Sequence, residues 1–184
     1  MYNSYAINKA QAFGYLSVWE VMALQLSANL LPKDKHPIIV NFGAGSGTSG
    51  LAFAEARPDA VIYTIDISEG GPEGGLMNEI NAFNETDLKL PTQMLGSSSD
   101  AGERWGRGLV DYVFVDGAHD EEQVRKDIVA WKKNLITGGI MAMHDYTSPN
   151  WPDVKVVADE LLAGWDVIMQ VDTVKVFRKV ENES

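Results

Sequence analysis

The sequence predicts a doubly wound α/β fold: a mostly parallel, seven-stranded sheet closed by a C-terminal antiparallel hairpin. Three observations predict it. Strand-like apolar runs alternate with helical patterns along the whole chain. The first run, Ile38-Ile39-Val40-Asn41-Phe42, feeds a loop with glycine at every second position, Gly43, Gly45 and Gly47. The second run, Val61 to Ile65, ends in Asp66. A glycine-rich turn after one strand and an acid at the tip of the next is how such Rossmann-like folds grip an adenosine ribose.

Each element follows in turn. Residues 12–31 read as a helix, with Phe13, Leu16, Met22, Leu26 and Leu30 at near-helical spacing. A strand over 37–42, a helix over 49–56 and a strand over 60–66 come next. Gly70-Gly71-Pro72 and Gly74-Gly75 make a loop, and a short helix over 76–83 succeeds it. Thr92 to Leu95 forms a short strand that runs into Gly96-Ser97-Ser98-Ser99-Asp100. Leu109 to Val115 is apolar apart from Asp111 and stops at Asp116-Gly117.

From Glu121 to Leu135, Val124, Ile128, Trp131 and Leu135 share one helical face, and Thr137-Gly138-Gly139 supplies a cap and turn. The strand over 140–143 stops at His144-Asp145. Pro152 opens a helix over 154–162, and runs over 165–171 and 174–177 make the closing hairpin. No linker or internal repeat divides the chain, so residues 1–184 are expected to be a single domain.

Composition narrows the function. There is no cysteine, which excludes disulfides, thiolate metal sites and a cysteine nucleophile and fits a cytoplasmic protein. The N-terminus lacks signal-peptide features, and no apolar stretch reaches membrane-spanning length. A net charge of −11 disfavours nucleic acid, whose binding rests on Lys and Arg. A small-molecule substrate is the expected partner. Five tryptophans in a short chain leave room for a homo-oligomer, in which a second subunit covers the site.

In a doubly wound sheet, ligands sit beyond the C-terminal strand ends. The glycine loop, Asp66, the three serines, Asp116, His119, His144 and Asp145 all fall there. Asp66 is read as accepting from both ribose hydroxyls. Ile67 is read as covering one face of the adenine or as a core isoleucine, and Ser98 or Ser99 as meeting the adenine edge. Asp116, His144 and Asp145 form a candidate site for a divalent ion such as Mg²⁺ or Mn²⁺. Their alternative role is to cap turns or helices. His119 is a candidate base near neutral pH, or a solvent-facing residue at a helix start.

Spacing separates two cofactor classes. The dinucleotide fingerprint wants a glycine at position 48, where Thr48 stands. The Gly43/Gly45/Gly47 loop, the string Phe114-Val115-Asp116-Gly117-Ala118-His119 and the string Gly138-Gly139-Ile140-Met141-Ala142-Met143-His144-Asp145 resemble class I S-adenosylmethionine-dependent methyltransferases. They are most similar to the catechol O-methyltransferase-like and sugar O-methyltransferase members, relatives of cephalosporin hydroxylases. The likeness spans about residues 15–178.

The resemblance implies an S-adenosylmethionine site at Asn41, Gly43, Gly45, Gly47, Ser49, Asp66, Ile67 and Ser98, with Asp116 at its floor. It implies a metal held by Asp116 and Asp145, with His144 replacing one acid, and a base at His119 with Asp116 beside the reacting atoms. Asn41 replaces the usual acid of the first motif, and Ala118 replaces a carboxylate that sugar-modifying members carry. The expected function is metal-assisted O-methylation of a small hydroxylated molecule. A metal-independent N- or C-methyltransferase and a non-catalytic binding protein on the same fold remain open.

Overall fold

The computed structural model describes residues 4–13, 15–72 and 74–181. Helices α1 (Tyr5–Phe13) and α2 (Val18–Ala28) precede β1 (Ile38–Phe42) and α3 (Thr48–Ala56). Then come β2 (Val61–Asp66), α4 (Leu76–Asn84), β3 (Thr92–Leu95), α5 (Ser98–Glu103), β4 (Val110–Val115) and α6 (Glu121–Lys132). The chain closes with β5 (Leu135–Met143), α7 (Pro152–Leu161), β6 (Asp166–Val171) and β7 (Val174–Arg178).

The seven strands lie in the order β3-β2-β1-β4-β5-β7-β6. All pairs through β5 are parallel, and β7 runs antiparallel to both β5 and β6. The fold class read from the sequence therefore holds. The central strands are buried on both faces, as their unbroken apolar runs require. Leu24, Phe53, Tyr112 and Phe114 pack under α1–α4, while Val113, Ile128, Trp131 and Met141 pack under α5–α7. Chain order reverses between β1 and β4, and that switch point fixes where a ligand can sit. Among the described residues no helix is long and apolar enough to cross a membrane.

The structure corrects three readings. The helix expected over 12–31 is two helices, because Ser17 and Glu20 form a reciprocal capping box that starts a new helix at Val18. Its buried face is also different. Leu16 is buried, but Phe13, Met22, Leu26 and Leu30 face outward, and Val21, Leu24 and Ala28 take the core. The helix expected to end at Leu135 stops at Lys132, and Leu135 already pairs with Val110 as a strand residue. Gly138-Gly139 is thus a β-bulge rather than a helix cap, with Gly138 at φ +79° and its N–H bonded to Lys179. The serine loop after β3 instead begins a short helix, α5, capped by Ser97.

Candidate active site

At the switch point the strand ends open into a cavity of about 1120 Å³. One wall is the loop after β1. Gly43 (φ +76°) donates its N–H to Ile65 and leaves no room for a Cβ, which would run into the Asp116 carbonyl oxygen. Gly45 faces open space and lines the cavity. Gly47 turns the other way. A Cβ there would stand 2.9 Å from the Ala82 Cβ, so this glycine lets α4 pack against the start of α3.

Asp66 is tied into the same wall. Its Oδ2 accepts from Ala44 N at 2.7 Å and its Oδ1 from Ser68 N at 2.7 Å. Each oxygen keeps a lone pair for a ligand. Ile67, 82% exposed, stands at the rim and is no core residue. Ser49 and Ser98 both line the cavity. Asn41 lies behind the wall, fully buried, with Nδ2 donating to the Gly43 carbonyl at 3.2 Å and Oδ1 unpartnered among the described residues.

The opposite wall carries charge. His144 Nδ1 lies 2.9 Å from Asp116 Oδ1 and 3.2 Å from Asp145 Oδ2, and its Nε2 is 3.6 Å from Glu20 Oε2. Burial opposes charge on this ring, but the surrounding Asp116, Asp145 and Glu20 carboxylates outweigh it and push His144 up to about 12. Burial also works against the Glu20 charge; His144, Thr173 and Ser17 outweigh it and hold this carboxyl at about 2. Burial disfavours the Asp145 charge as well, yet His119 and His144 hold it well below the usual carboxylate range.

Asp145 adopts φ +55°, a conformation that aspartate tolerates better than most residues. His119 Nε2 sits 2.9 Å from Asp145 Oδ2, off the hydrogen-bonding line and without another hydrogen-bond partner among the described residues. Its ring stacks on Trp151, with centroids 4.6 Å apart and planes 21° from parallel.

The ligand atoms of Asp116, His144 and Asp145 all lie within 4.8 Å of one another. Two carboxylate oxygens suit Mg²⁺ or Mn²⁺, and one imidazole nitrogen shifts the preference towards Mn²⁺, Fe²⁺ or Zn²⁺, provided that the ligating nitrogen gives up its proton.

A methyltransferase-domain family model matches residues 40–146, more than half of the chain. The chain belongs to this methyltransferase family. The match starts in β1 and ends just past Asp145, so it spans the glycine loop and, of the charged wall, Asp116, His144 and Asp145 but not Glu20. The fold is that of class I S-adenosylmethionine-dependent methyltransferases.

Solved structures agree at the level of fold. The O-methyltransferase TomG from Streptomyces achromogenes, in complex with SAM, is 21% identical with a TM-score of 0.71, covering 98% of this chain and 91% of that one. The methyltransferase PaMTH1 from Podospora anserina, bound to SAH, is 18% identical with a TM-score of 0.72 and coverages of 98% and 89%. MycE of the mycinamycin pathway, in complex with Mg, SAH and mycinamycin VI, is 15% identical with a TM-score of 0.65. It covers 95% of this chain, which spans only 54% of MycE.

The cavity therefore gathers Gly43, Gly45, Ser49, Asp66, Ile67, Ser98, Asp116, His119, His144 and Asp145, and leaves Asn41 and Gly47 behind its wall. Sequence reasoning missed Glu20, Tyr15, Trp151 and Gln123. Only Glu20 carried a local signal, the Ser17-x-x-Glu20 capping box. The others arrive through tertiary contacts.

Proposed function

We propose that this domain transfers a methyl group from S-adenosylmethionine to a hydroxyl of a small molecule, with a divalent cation assisting at the charged wall. One observation carries the reading: Asp66 and the Asp116/His144/Asp145 group face a single cavity across the switch point. The cofactor, when bound, supplies a methyl group on a positively charged sulfur.

The protein's own residues supply placement and proton handling. Asp66 accepts from the ribose hydroxyls, which rejects a 2′-phosphate. Backbone at Gly43 and Gly45 lets the cofactor approach closely, Ile67 covers the base, and Ser49 and Ser98 offer hydroxyls along its length. Tyr15 and Trp151 bound the acceptor end. His119, stacked on Trp151 and set beside the Asp145 carboxylate, takes the acceptor proton. Aligning the acceptor oxygen with the methyl group can supply roughly 7–11 kcal/mol of the barrier.

Asp116, His144 and Asp145 would hold Mg²⁺ or Mn²⁺, which lowers the pKa of an acceptor hydroxyl. The three relatives described above support this reading, MycE through its Mg and TomG and PaMTH1 through SAM or SAH. The cysteine-free composition agrees with a cytoplasmic setting.

A second reading rests on His144. As an imidazolium it already balances charge on Asp116, Asp145 and Glu20, and the transfer then needs no metal. Calorimetric titration with S-adenosylhomocysteine and with NAD, each with and without Mn²⁺, tests both readings. Micromolar binding of the homocysteine compound alone is expected. Activity that survives a chelator would favour the metal-free form, and absence of binding would leave a non-catalytic protein on a methyltransferase fold.

A further inference from the structure

Asp127 lies one turn beyond Gln123 on α6 and is fully buried. Its Oδ1 accepts from the Ser98 hydroxyl at 2.5 Å and from Gln123 Nε2 at 3.3 Å. The same Gln123 nitrogen donates to Ser99 Oγ at 3.0 Å, and the Trp131 indole N–H holds the Ser98 carbonyl at 2.8 Å. Ser98 is thus fixed at both its hydroxyl and its carbonyl. Among the described residues Asp127 Oδ2 has no hydrogen-bond partner, and it lies 3.8 Å from where a Cβ on Gly117 would stand, directly behind the cavity lining. Burial pushes the carboxyl up, and the bonds from Ser98 and Gln123 pull it back. Oδ1 accepts in either protonation state.

A serine hydroxyl carries one proton and two lone pairs. With that proton committed to Asp127, Ser98 offers the cavity only an acceptor. The place of Ser98 decides what meets it. Gly96 N donates to the Asp66 carbonyl at 2.8 Å, so the Gly96–Ser98 segment runs on from the residue that takes the ribose. A nucleoside whose ribose sits on Asp66 then brings the edge of its base to Ser98.

We propose that Asp127 determines base specificity: by fixing the direction of the Ser98 hydroxyl, it selects a base edge that donates, the exocyclic amine of adenine, over one that accepts, the carbonyl of hypoxanthine. This rests on the cofactor reading above. Leaving a buried acceptor facing another acceptor costs more than an ordinary hydrogen bond gains.

The test is calorimetry of the full chain with S-adenosylhomocysteine and with its deaminated counterpart, S-inosylhomocysteine. The wild-type protein is expected to favour the adenine compound roughly tenfold or more. In Asp127→Leu the acceptor is gone and the Ser98 hydroxyl proton is free to turn toward the cavity, so the preference should shrink to about twofold while the adenine compound still binds. Ser98→Ala, which removes the hydroxyl and leaves the helix intact, should also flatten the preference, and it carries the test should Asp127→Leu fail to fold. Equal wild-type binding of the two compounds, or a preference that survives in either folded variant, overturns the role of Asp127 and leaves the cofactor reading standing. Failure of the wild-type protein to bind either compound overturns both.

Discussion

The two walls of the cavity are built from different materials. The wall over β1 and β2 is mostly main chain: glycines, N–H groups and one carboxylate locked between Ala44 N and Ser68 N. The wall over β4 and β5 is side chain, with His144 held among Asp116, Asp145 and Glu20. At Gly43 and Gly47 a backbone wall tolerates little change, because an added Cβ meets a neighbour. Side-chain walls can be altered residue by residue, and what changes is protonation. A cofactor common to many acceptors suits the first wall, and a chain-specific acceptor suits the second.

The largest expected break in this contrast is Gly43→Ala. Its added Cβ would collide with the Asp116 carbonyl at a φ that alanine disfavours. Stability should fall by about 3 kcal/mol or more, with loss of S-adenosylhomocysteine binding, read by thermal melts and calorimetry. His119→Gln tests the other wall. Cofactor binding should stay unchanged while turnover drops by about 10²–10⁴, and a variant with full turnover would remove His119 from the chemistry.

Glu79 sharpens the comparison because it is a titrating group hidden behind the main-chain wall. It is fully buried, bonded by Thr64 Oγ1 at 3.0 Å and Gln93 Nε2 at 2.9 Å, and burial pushes it up to about 8. The folded protein therefore keeps this proton between pH 4.5 and about 8 while the unfolded chain loses it. Stability should decline with rising pH through that window, by up to roughly 1.4 kcal/mol per pH unit. Glu79→Gln should flatten that slope in denaturant titrations, and an unchanged slope would show that another group sets it. The smallest effect belongs to Trp19→Ser. Trp19 is 63% exposed on the outer face of α2, so stability should move by no more than about 0.5 kcal/mol.

What could be read from the sequence was whatever sits next to a strand end. The glycine loop, Asp66, Asp116 and His144-Asp145 each follow an apolar run, and the strand-end rule places them together without knowledge of any packing. Helix α2 defeated the same reasoning because apolar residues occupy both its faces, Val21 and Leu24 inside and Met22 and Leu26 outside. Periodicity cannot choose between two apolar faces. Gly138-Gly139 misled for a related reason, since a left-handed glycine serves a helix cap and a β-bulge equally well. Asp127 carries no signal in the sequence that sets it apart from the other charged residues of α6. Its burial depends on Ser98 of α5, a helix that the serine run did not announce.

Glu20 has a consequence for how the chain is made. Its Oε1 accepts from Thr173 N at 2.9 Å and Thr173 Oγ1 at 2.6 Å, across 153 positions of sequence, while its Oε2 faces His144. Helix α2 and the last hairpin therefore meet on one carboxylate. During synthesis β1 to β5 can pair in order, but Glu20 has no partner at the hairpin until residue 173 has left the ribosome. The bond that anchors Glu20 is a late event in folding, and a chain cut before Thr173 would carry its glycine loop opposite a charged wall whose Glu20 lacks that anchor.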